Sequence, residues 1–371
     1  MTQPSPSSIR GAQTAMASLA TRETPFIFNQ WYVAAMADEI GRGLFKRTIL
    51  NRQIVFFRTE AGAPVAMDDR CAHRSYPLSA SILDGDSIVC RYHGIRYNSD
   101  GDWIEVPSQE RCPRNTGVRS YCLVEQGALI WIWMGDKAAA DPARIPTQPW
   151  MTAPDWACTH GTMHLGGNYV SLHENLMDLT HLTYLHADTI GTPDYAKAKF
   201  DVVLNEHEFI LRRDVVPTRL PPVWGKPTGL EGSETAARIA QSRFVAPSLH
   251  EVSVSFYEST LPAATRPEFL IKTAHLVTPE THNSTHYFIL HGRNFALEDI
   301  AMGEFMHEQL FAAFNEDVVG LALVEHALNQ ADDGFYEVSI GSDRASVAMR
   351  RYLKTRADQE RASFSKEQAT A

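Results

Sequence analysis

Cys71-Ala-His73-Arg74 and, after sixteen residues that intervene beyond its histidine, Cys90-Arg-Tyr-His93-Gly94 are the stretches that decide how the first third of this chain folds. Each supplies one thiol and one imidazole, in the patterns C-x-H and C-x2-H. An Asp84-Gly85 turn lies between them, and Gly94 places a second turn after the later pair. Short apolar runs at 48–50, 54–57, 65–67, 87–90, 95–98 and 128–134, separated by Gly, Asp and Asn, read as β-strands joined by tight turns. The expectation is a small all-β domain over residues 25–137 that carries two Cys/His loops.

Two thiolates and two imidazoles delivered in pairs match a [2Fe-2S] cluster, with Cys71 and Cys90 on one iron and His73 and His93 on the other. A structural Cys2His2 zinc site uses the same residue types. Zinc half-sites rarely set Cys and His only two apart, so the spacing favours the cluster. The two segments resemble the cluster motifs of the Rieske non-haem iron oxygenases. Relatives often carry proline directly after the second cysteine; Arg91 stands there in this chain, which predicts a less rigid loop and an added positive charge near the cluster.

Upstream, residues 1–24 are rich in Ser, Thr, Ala and Gln with few large apolar groups, a composition that predicts a mobile tail. Downstream, Pro142, Pro146 and Pro149 interrupt the strand pattern and mark 138–150 as a linker. Residues 151–371 read as an α+β catalytic domain, an antiparallel sheet flanked by helices. Its helices are expected over 169–185, 302–330 and 344–354, its strands near 208–216, 251–258, 269–276 and 285–291. A net charge of −10 argues against nucleic acid and anionic membranes as partners, and no apolar run has the length of a membrane span. Five cysteines, an odd number, and an N-terminus without an apolar secretory core point to a reducing cytoplasm.

The second domain carries its own ligand pattern, Asp178, His181 and His186 in D-x2-H-x4-H. At about 100° per residue Asp178 and His181 share a helix face, while His186 falls about 140° out of register with His181. If both imidazoles meet one metal, the helix must bulge or end between them. Two histidines and one carboxylate make a facial triad that leaves adjacent positions on iron open. The carboxylate is expected from the late helix, where Phe311, Phe314, Val318, Leu321 and Leu328 mark a buried stripe with Asp317 at its edge. Burying a carboxylate there is costly without a partner, which a metal provides. Glu316 points about 100° away as a solvated alternative, and Asp332 and Asp333 fall beyond the helix. Asp178 reads as a non-ligand that orients an imidazole. Asn175, on the same face, leans toward the metal or is an ordinary polar contact of the helix.

The resemblance runs from about Trp31 to Gln330 and includes Asn29-Gln-Trp-Tyr-Val-Ala-Ala35, Ser284-Thr-His-Tyr-Phe288 and, for the carboxylate, Phe314-Asn-Glu-Asp317. These marks look like the vanillate demethylase and dicamba monooxygenase branch. That resemblance implies mononuclear Fe(II) on His181, His186 and Asp317, and a homotrimer in which Asp178 bridges to a cluster histidine of a neighbouring subunit. It also implies electrons from NAD(P)H through a separate reductase or ferredoxin; no G-x-G-x-x-G follows a strand here. The implied monooxygenase reaction, on an aromatic substrate and O2, hydroxylates an O-methyl or N-alkyl carbon, and the product then loses an aldehyde. Methyl hydroxylation without cleavage and ring dihydroxylation are the alternatives within the family. A pure electron carrier or zinc-stabilised binding protein is the alternative outside it, and the Asp178, His181, His186 set argues against that.

His275 resembles a substrate-contacting histidine; strand alternation would turn it to the side of Thr273 and Val277, and an ordinary core or surface position is the alternative. Where the resemblance implies a pocket tryptophan, nine residues before Asp317, stands Glu308, which argues against dicamba itself as substrate. Residues 217–232, with Pro221, Pro222 and Trp224, read as a lid over the pocket or as a surface loop.

Overall fold

The computed structural model describes residues 6–206, 208–331 and 335–370. The chain divides into two compact units: Phe28–Ile145, and the residues up to Ile27 together with those from Pro146 onward.

The first unit is built of β1 (Trp31–Met36), β2 (Phe45–Ile49), β3 (Arg52–Arg58), β4 (Pro64–Asp68), β5 (Ile82–Asp84), β6 (Ser87–Val89), β7 (Arg96–Tyr97), β8 (Trp103–Glu105), β9 (Leu123–Gln126) and β10 (Leu129–Trp133). They form the sheets β1-β10-β9, β2-β3-β4 and β5-β6-β7-β8. Every residue of β1 and β10 is buried, so these strands read as unbroken apolar runs and show no alternation. Cys71 follows β4, and the segment from Cys90 to Ile95 joins β6 to β7.

In the second unit, α1 (Pro6–Met16) is a helix where composition predicted a mobile tail. Tertiary contacts supply what the composition lacks. Leu19 and Ala20 are buried, the Ala20 N–H donates to the Arg350 carbonyl (3.0 Å), and Arg350 Nε donates back to the Ala20 carbonyl (2.9 Å). Residues 1–5 of that expectation lie outside the described residues.

From β11 (Ala157–Leu165) the chain enters α2 (Tyr169–Met177), then β12 (Phe200–Leu204), β13 (Phe209–Thr218), α3 (Pro222–Thr228), β14 (Ala236–Ala246), β15 (Leu249–Glu258), β16 (Phe269–Thr281) and β17 (Ser284–Arg293). The helices α4 (Ile300–Asn329) and α5 (Arg344–Thr370) complete it. The seven strands form one antiparallel sheet in the order β11-β17-β16-β15-β14-β13-β12. The α+β architecture with a flanked antiparallel sheet is therefore as expected, though β11, β12 and β14 were not.

Register explains the omission of β14. Arg213 pairs with Ala240, Ala240 with Val254 and Val254 with Ile271, so these side chains share one face. Along β14 that face takes Arg238, Ala240 and Ser242, all buried, so the inward positions are small or polar and the alternation is disguised. Its neighbours add buried Arg213, His250, Thr273 and His275. A sheet face this polar requires partners for its side chains, and it is the face toward the cavity described below.

Two helices depart from expectation where it matters. The predicted helix over 169–185 stops at Met177; Asp178 caps it and starts a short 3-10 turn, Leu179–Thr183. In α4 the buried residues are Gly303, Met306, Leu310, Ala313, Phe314, Asp317, Leu321 and Glu325, so Asp317 lies at the centre of the buried stripe and not at its edge. Phe311, Val318 and Leu328 are half-buried flanks of that stripe.

Candidate metal centres

The two Cys/His loops of the first unit are closed by the same pair of hydrogen bonds. In one, the Ser75 N–H donates to the Cys71 carbonyl and the Cys71 N–H to the Tyr76 carbonyl; in the other, Gly94 N–H donates to Cys90 and Cys90 N–H to Ile95, all at 2.8 Å. The fifth residue of each loop turns left-handed, Ser75 at φ 59° and Gly94 at φ 75°. Glycine is needed at 94 because a Cβ would meet Pro107 Cγ at 2.9 Å. These bonds close the second loop without a proline, and Arg91 is exposed beside it.

Cys71 and Cys90 are buried and unlinked by a disulfide, while the rings of His73 and His93 stand at the surface end with centroids 4.5 Å apart. Two inner thiols and two outer imidazoles on matched loops are the donor set a [2Fe-2S] group of the two-Cys, two-His kind requires. The Tyr97 hydroxyl donates to Cys71 Sγ at 3.1 Å, a contact the sequence did not announce.

In the second unit, His181, His186 and Asp317 come together. Asp317 Oδ1 lies 3.1 Å from His186 Nε2, 3.5 Å from His181 Nε2 and 3.0 Å from the Asn175 amide nitrogen, which donates to it. The end of α2 at Met177 makes this possible: the 3-10 turn carries His181, and the chain then loops to bring His186 back against α4. A close approach at Gly191 closes that loop; its N–H donates to the His186 carbonyl (2.9 Å), and a Cβ there would lie 1.8 Å from the Leu182 carbonyl oxygen.

Both imidazoles are held by Nδ1. The Nδ1 of His181 bonds the backbone carbonyl of Asp178, and that of His186 bonds Glu316 Oε2 (2.6 Å), to which Thr189 Oγ1 also donates (2.8 Å). With each Nδ1–H committed as donor, both Nε2 atoms are left to accept a metal. Glu316 is thus not the solvated residue expected: the His186 loop wraps around α4 and meets it. Asp178 orients His181 with its main chain, while its carboxylate caps the turn by accepting from the Thr180 N–H (2.8 Å).

Electrostatics agree with this donor set. Burial works to raise the Asp317 carboxyl, but the His186 hydrogen bond, both imidazoles and Asn175 together hold it below the usual carboxylate range. Burial opposes protonation of His186, yet Asp317 and Glu316 overcome it and raise its pKa; for His181 burial prevails and lowers it. Two nitrogens and a carboxylate oxygen, all within 4.8 Å of one another, with His186 and Asp317 buried and His181 half-buried, fit a facial Fe(II) site.

That site opens on an apolar cavity walled by Leu176, Leu179, Leu182, Trp224, Leu310 and Phe314, with His275 and Thr273 from β16 among its polar atoms. His275 is buried, its Nδ1 is bonded to the Tyr287 hydroxyl, and burial pushes its pKa down to about 3, so it is neutral. Within 217–232 the segment forms α3 and packs Trp224 against Phe256 (centroids 5.3 Å) in the cavity wall, which is more than a surface loop. Glu308 is exposed and is not among the residues that line this cavity.

Two buried arginines escaped the sequence reading. Arg213 donates to the carbonyls of Tyr195 (2.9 Å) and Ala196 (3.2 Å) and to Thr180 Oγ1 (2.9 Å), and Arg238 donates to the Ile190 carbonyl (2.8 Å). Both guanidiniums lie over the Tyr195 ring, 5.5 and 4.6 Å from its centroid, pinning the segment that carries His181 and His186 to the sheet. Charged residues at inward strand positions were the available signal.

Comparison with known proteins agrees with both halves. Residues 30–122 match the Rieske [2Fe-2S] domain, and residues 165–359 match the vanillate O-demethylase oxygenase C-terminal domain. A toluene-4-sulfonate monooxygenase system iron-sulfur subunit of Comamonas testosteroni is 34% identical over 83% of this chain and 90% of its own. The dicamba O-demethylase oxygenase component of Stenotrophomonas maltophilia is 32% identical over 89% of this chain and 97% of its own. The crystal structure of dicamba monooxygenase bound to 3,6-dichlorosalicylic acid superposes with a TM-score of 0.84 at 29% identity, covering 91% of this chain and 99% of that one. This chain therefore belongs to the Rieske non-haem iron monooxygenases whose oxygenase subunits join a Rieske domain to a catalytic domain of the vanillate O-demethylase type.

Proposed function

We propose that this chain is the oxygenase component of a system that hydroxylates an O-methyl or N-alkyl carbon of an aromatic substrate. The observation that carries this reading is the His181, His186, Asp317 set at the mouth of an apolar cavity, in a chain that also presents the matched Cys71/His73 and Cys90/His93 loops. Relatives named as oxygenase components of dicamba and vanillate O-demethylases and of a chloroacetanilide N-alkylformylase support it. When bound, the cluster supplies single electrons and the iron supplies activation of O2.

The chain's own residues do the rest. Cys71, His73, Cys90 and His93 hold the cluster; His181, His186 and Asp317 hold Fe(II), with Asn175 and Glu316 fixing the carboxylate and the imidazole. Leu176, Leu179, Leu182 and Phe314 exclude water and clasp an aromatic ring, and neutral His275 offers it one hydrogen bond. The sum is R–O–CH3 + O2 + 2 electrons + 2 protons giving R–OH, formaldehyde and water, because a hydroxylated carbon on oxygen or nitrogen collapses to the aldehyde.

Electrons come from NAD(P)H through a separate reductase or ferredoxin, and Asp178 bridges to a cluster histidine of a neighbouring copy in a homotrimer. Supporting the subunit contact, the surface beside His181 and His186 exposes Tyr184 (76%), Leu323 (66%) and Val319 (52%). A cytoplasmic location rests on the free cysteines; among the described residues no helix is long and apolar enough to cross a membrane.

The toluene-4-sulfonate relatives favour a second reading, since that compound's methyl is borne on carbon and its hydroxylation releases no aldehyde. A panel of O-methyl, N-alkyl and C-methyl arenes, run with a reductase and scored for formaldehyde and product mass, decides. Aldehyde equal to product supports dealkylation; a benzylic alcohol without aldehyde supports the second reading; a cis-diol from the ring would overturn both.

A further inference from the structure

A second cluster of ligating side chains lies on the opposite face of the sheet. His164 in β11 and His286 in β17 are direct cross-strand partners, with ring centroids 5.8 Å apart. Glu280 comes from β16 at a bulge: the register shifts between Pro279 and Thr281, so Glu280 itself has no cross-strand partner there. Bulges re-aim side chains, and this one sends the carboxylate toward both rings. Oε2 lies 2.6 Å from His164 Nε2, and Oε1 lies 4.0 Å from His286 Nε2. His286 immediately precedes Tyr287, so alternation puts it on the face away from the cavity, where Tyr287 meets His275.

We propose that His164, Glu280 and His286 form a second metal site, which binds a divalent transition metal of the zinc class. The three ligand atoms lie within 4.8 Å of one another. Tetrahedral bonds of about 2.0–2.1 Å set ligand atoms roughly 3.3 Å apart, and the observed 2.6 Å to Oε2 and 4.0 Å to Oε1 of Glu280 bracket that value, so small rotations of these side chains suffice. The side chains are 57% (His164), 24% (Glu280) and 14% (His286) exposed, which gives a metal a path from solvent and leaves its fourth position to water. Imidazole donors select zinc, nickel or copper over magnesium and calcium, which prefer all-oxygen shells.

The site has a mechanical meaning as well. His164 lies one residue before the end of the edge strand β11, from which the chain passes through Gly167 and Asn168 into α2. Thr285 Oγ1, beside His286, donates to the Gly167 carbonyl (2.9 Å), and the Asn168 amide donates to the His282 carbonyl (2.6 Å) in the β16–β17 turn. A metal on His164, Glu280 and His286 ties the same strand ends together, bracing the entry to the helix that carries Asn175. It is distinct in place from the iron triad, lying on the other face of the sheet with His164 57% exposed, whereas His186 and Asp317 of the triad are buried.

The test uses the intact enzyme with cluster and iron loaded and no histidine tag, dialysed against zinc and counted for metals. Saturable uptake of about one additional zinc per chain is expected, displaced by nickel and indifferent to magnesium. His164→Ala and His286→Ala should each weaken that uptake by about tenfold or more, with iron content and turnover unchanged. The His286 variant separates a metal site from a simple His164–Glu280 ion pair, which does not need it. Zinc should raise the thermal midpoint of the parent protein and leave that of His286→Ala unmoved, a readout that also reports folding. Zinc uptake that persists in both variants, is lost only in His186→Ala, or is absent altogether would overturn the proposal.

Discussion

Nδ1 of His186 stands 2.6 Å from Oε2 of Glu316, while Nε2 of the same ring lies 3.1 Å from Oδ1 of Asp317, the next residue of α4. One imidazole is thus gripped by two consecutive carboxylates, and only the Asp317 side faces the shared donor cluster. Glu316 fixes which nitrogen carries the proton. Glu316→Gln should therefore keep the fold and weaken iron retention by about 10- to 100-fold, read as iron per chain after dialysis against a graded chelator; Asp317→Asn should lose iron outright. Unchanged retention in Glu316→Gln would remove Glu316 from the account.

Asp178 offers a separable test of electron delivery. Its carboxylate caps the Thr180 N–H, a task asparagine performs equally well, and its carbonyl, which holds His181, is untouched by substitution. Asp178→Asn should retain both metal centres and the fold while substrate-dependent oxidation of the reduced cluster slows sharply in single-turnover absorbance. Wild-type rates would dispose of the bridging role.

Gly191 is a packing requirement. An alanine Cβ would lie 1.8 Å from the Leu182 carbonyl oxygen and 2.8 Å from that of His186, both backbone atoms. Gly191→Ala should open the loop that returns His186 to α4, costing about 2–4 kcal/mol in urea unfolding and releasing iron, with the cluster absorbance intact.

The Tyr97 hydroxyl donates to Cys71 Sγ and so favours the more negative, reduced cluster. Tyr97→Phe should lower the reduction potential by some tens of millivolts, roughly what a fraction of a charged hydrogen bond is worth in a one-electron couple. Spectroelectrochemical titration measures it; a rise or no change would contradict the assignment.

Acid should destabilise the catalytic unit in a definite window. Burial pushes His173 down to about 4 and His291 to about 3, so the folded state keeps both neutral. Unfolded, each titrates near about 6.5, and the stability they contribute is full above that pH and lost as pH falls toward 4, by at most about 1.4 kcal/mol per unit per residue. Urea unfolding between pH 7.5 and 5 should show this loss, and His173→Gln should shallow the slope. A slope unchanged by that substitution would assign the acid sensitivity elsewhere.

Several features were legible without coordinates because they depend on local chemistry. The Cys71/His73 and Cys90/His93 spacings carry the cluster inventory, since few arrangements deliver two thiols and two imidazoles on short turns. Asp317 stood out as a carboxylate among apolar helix positions. His275 was placed on the correct side of its strand because alternation along a strand is a local property.

What failed in the sequence reading failed where long-range contacts decide. The 169–185 segment has helical periodicity, but it ends early at Asp178, whose side chain caps the 3-10 turn that follows, and that early end is what lets His181 and His186 converge. Helical rotation alone sent Glu316 to solvent, although the loop it meets arrives from 130 residues earlier in the chain.

Which donors this protein owns, and the local periodicities that place most of its strands and helices, follow from the order of its residues alone. Packing between distant elements makes Asn175, His181, His186, Glu316 and Asp317 one constellation, lets Arg213 and Arg238 pin its loop, and brings His164, Glu280 and His286 together on the other face. The reason is physical: a side chain's type and its direction along one element are set within a few residues, whereas the partner that satisfies it after burial is set by register and packing between elements far apart in the chain.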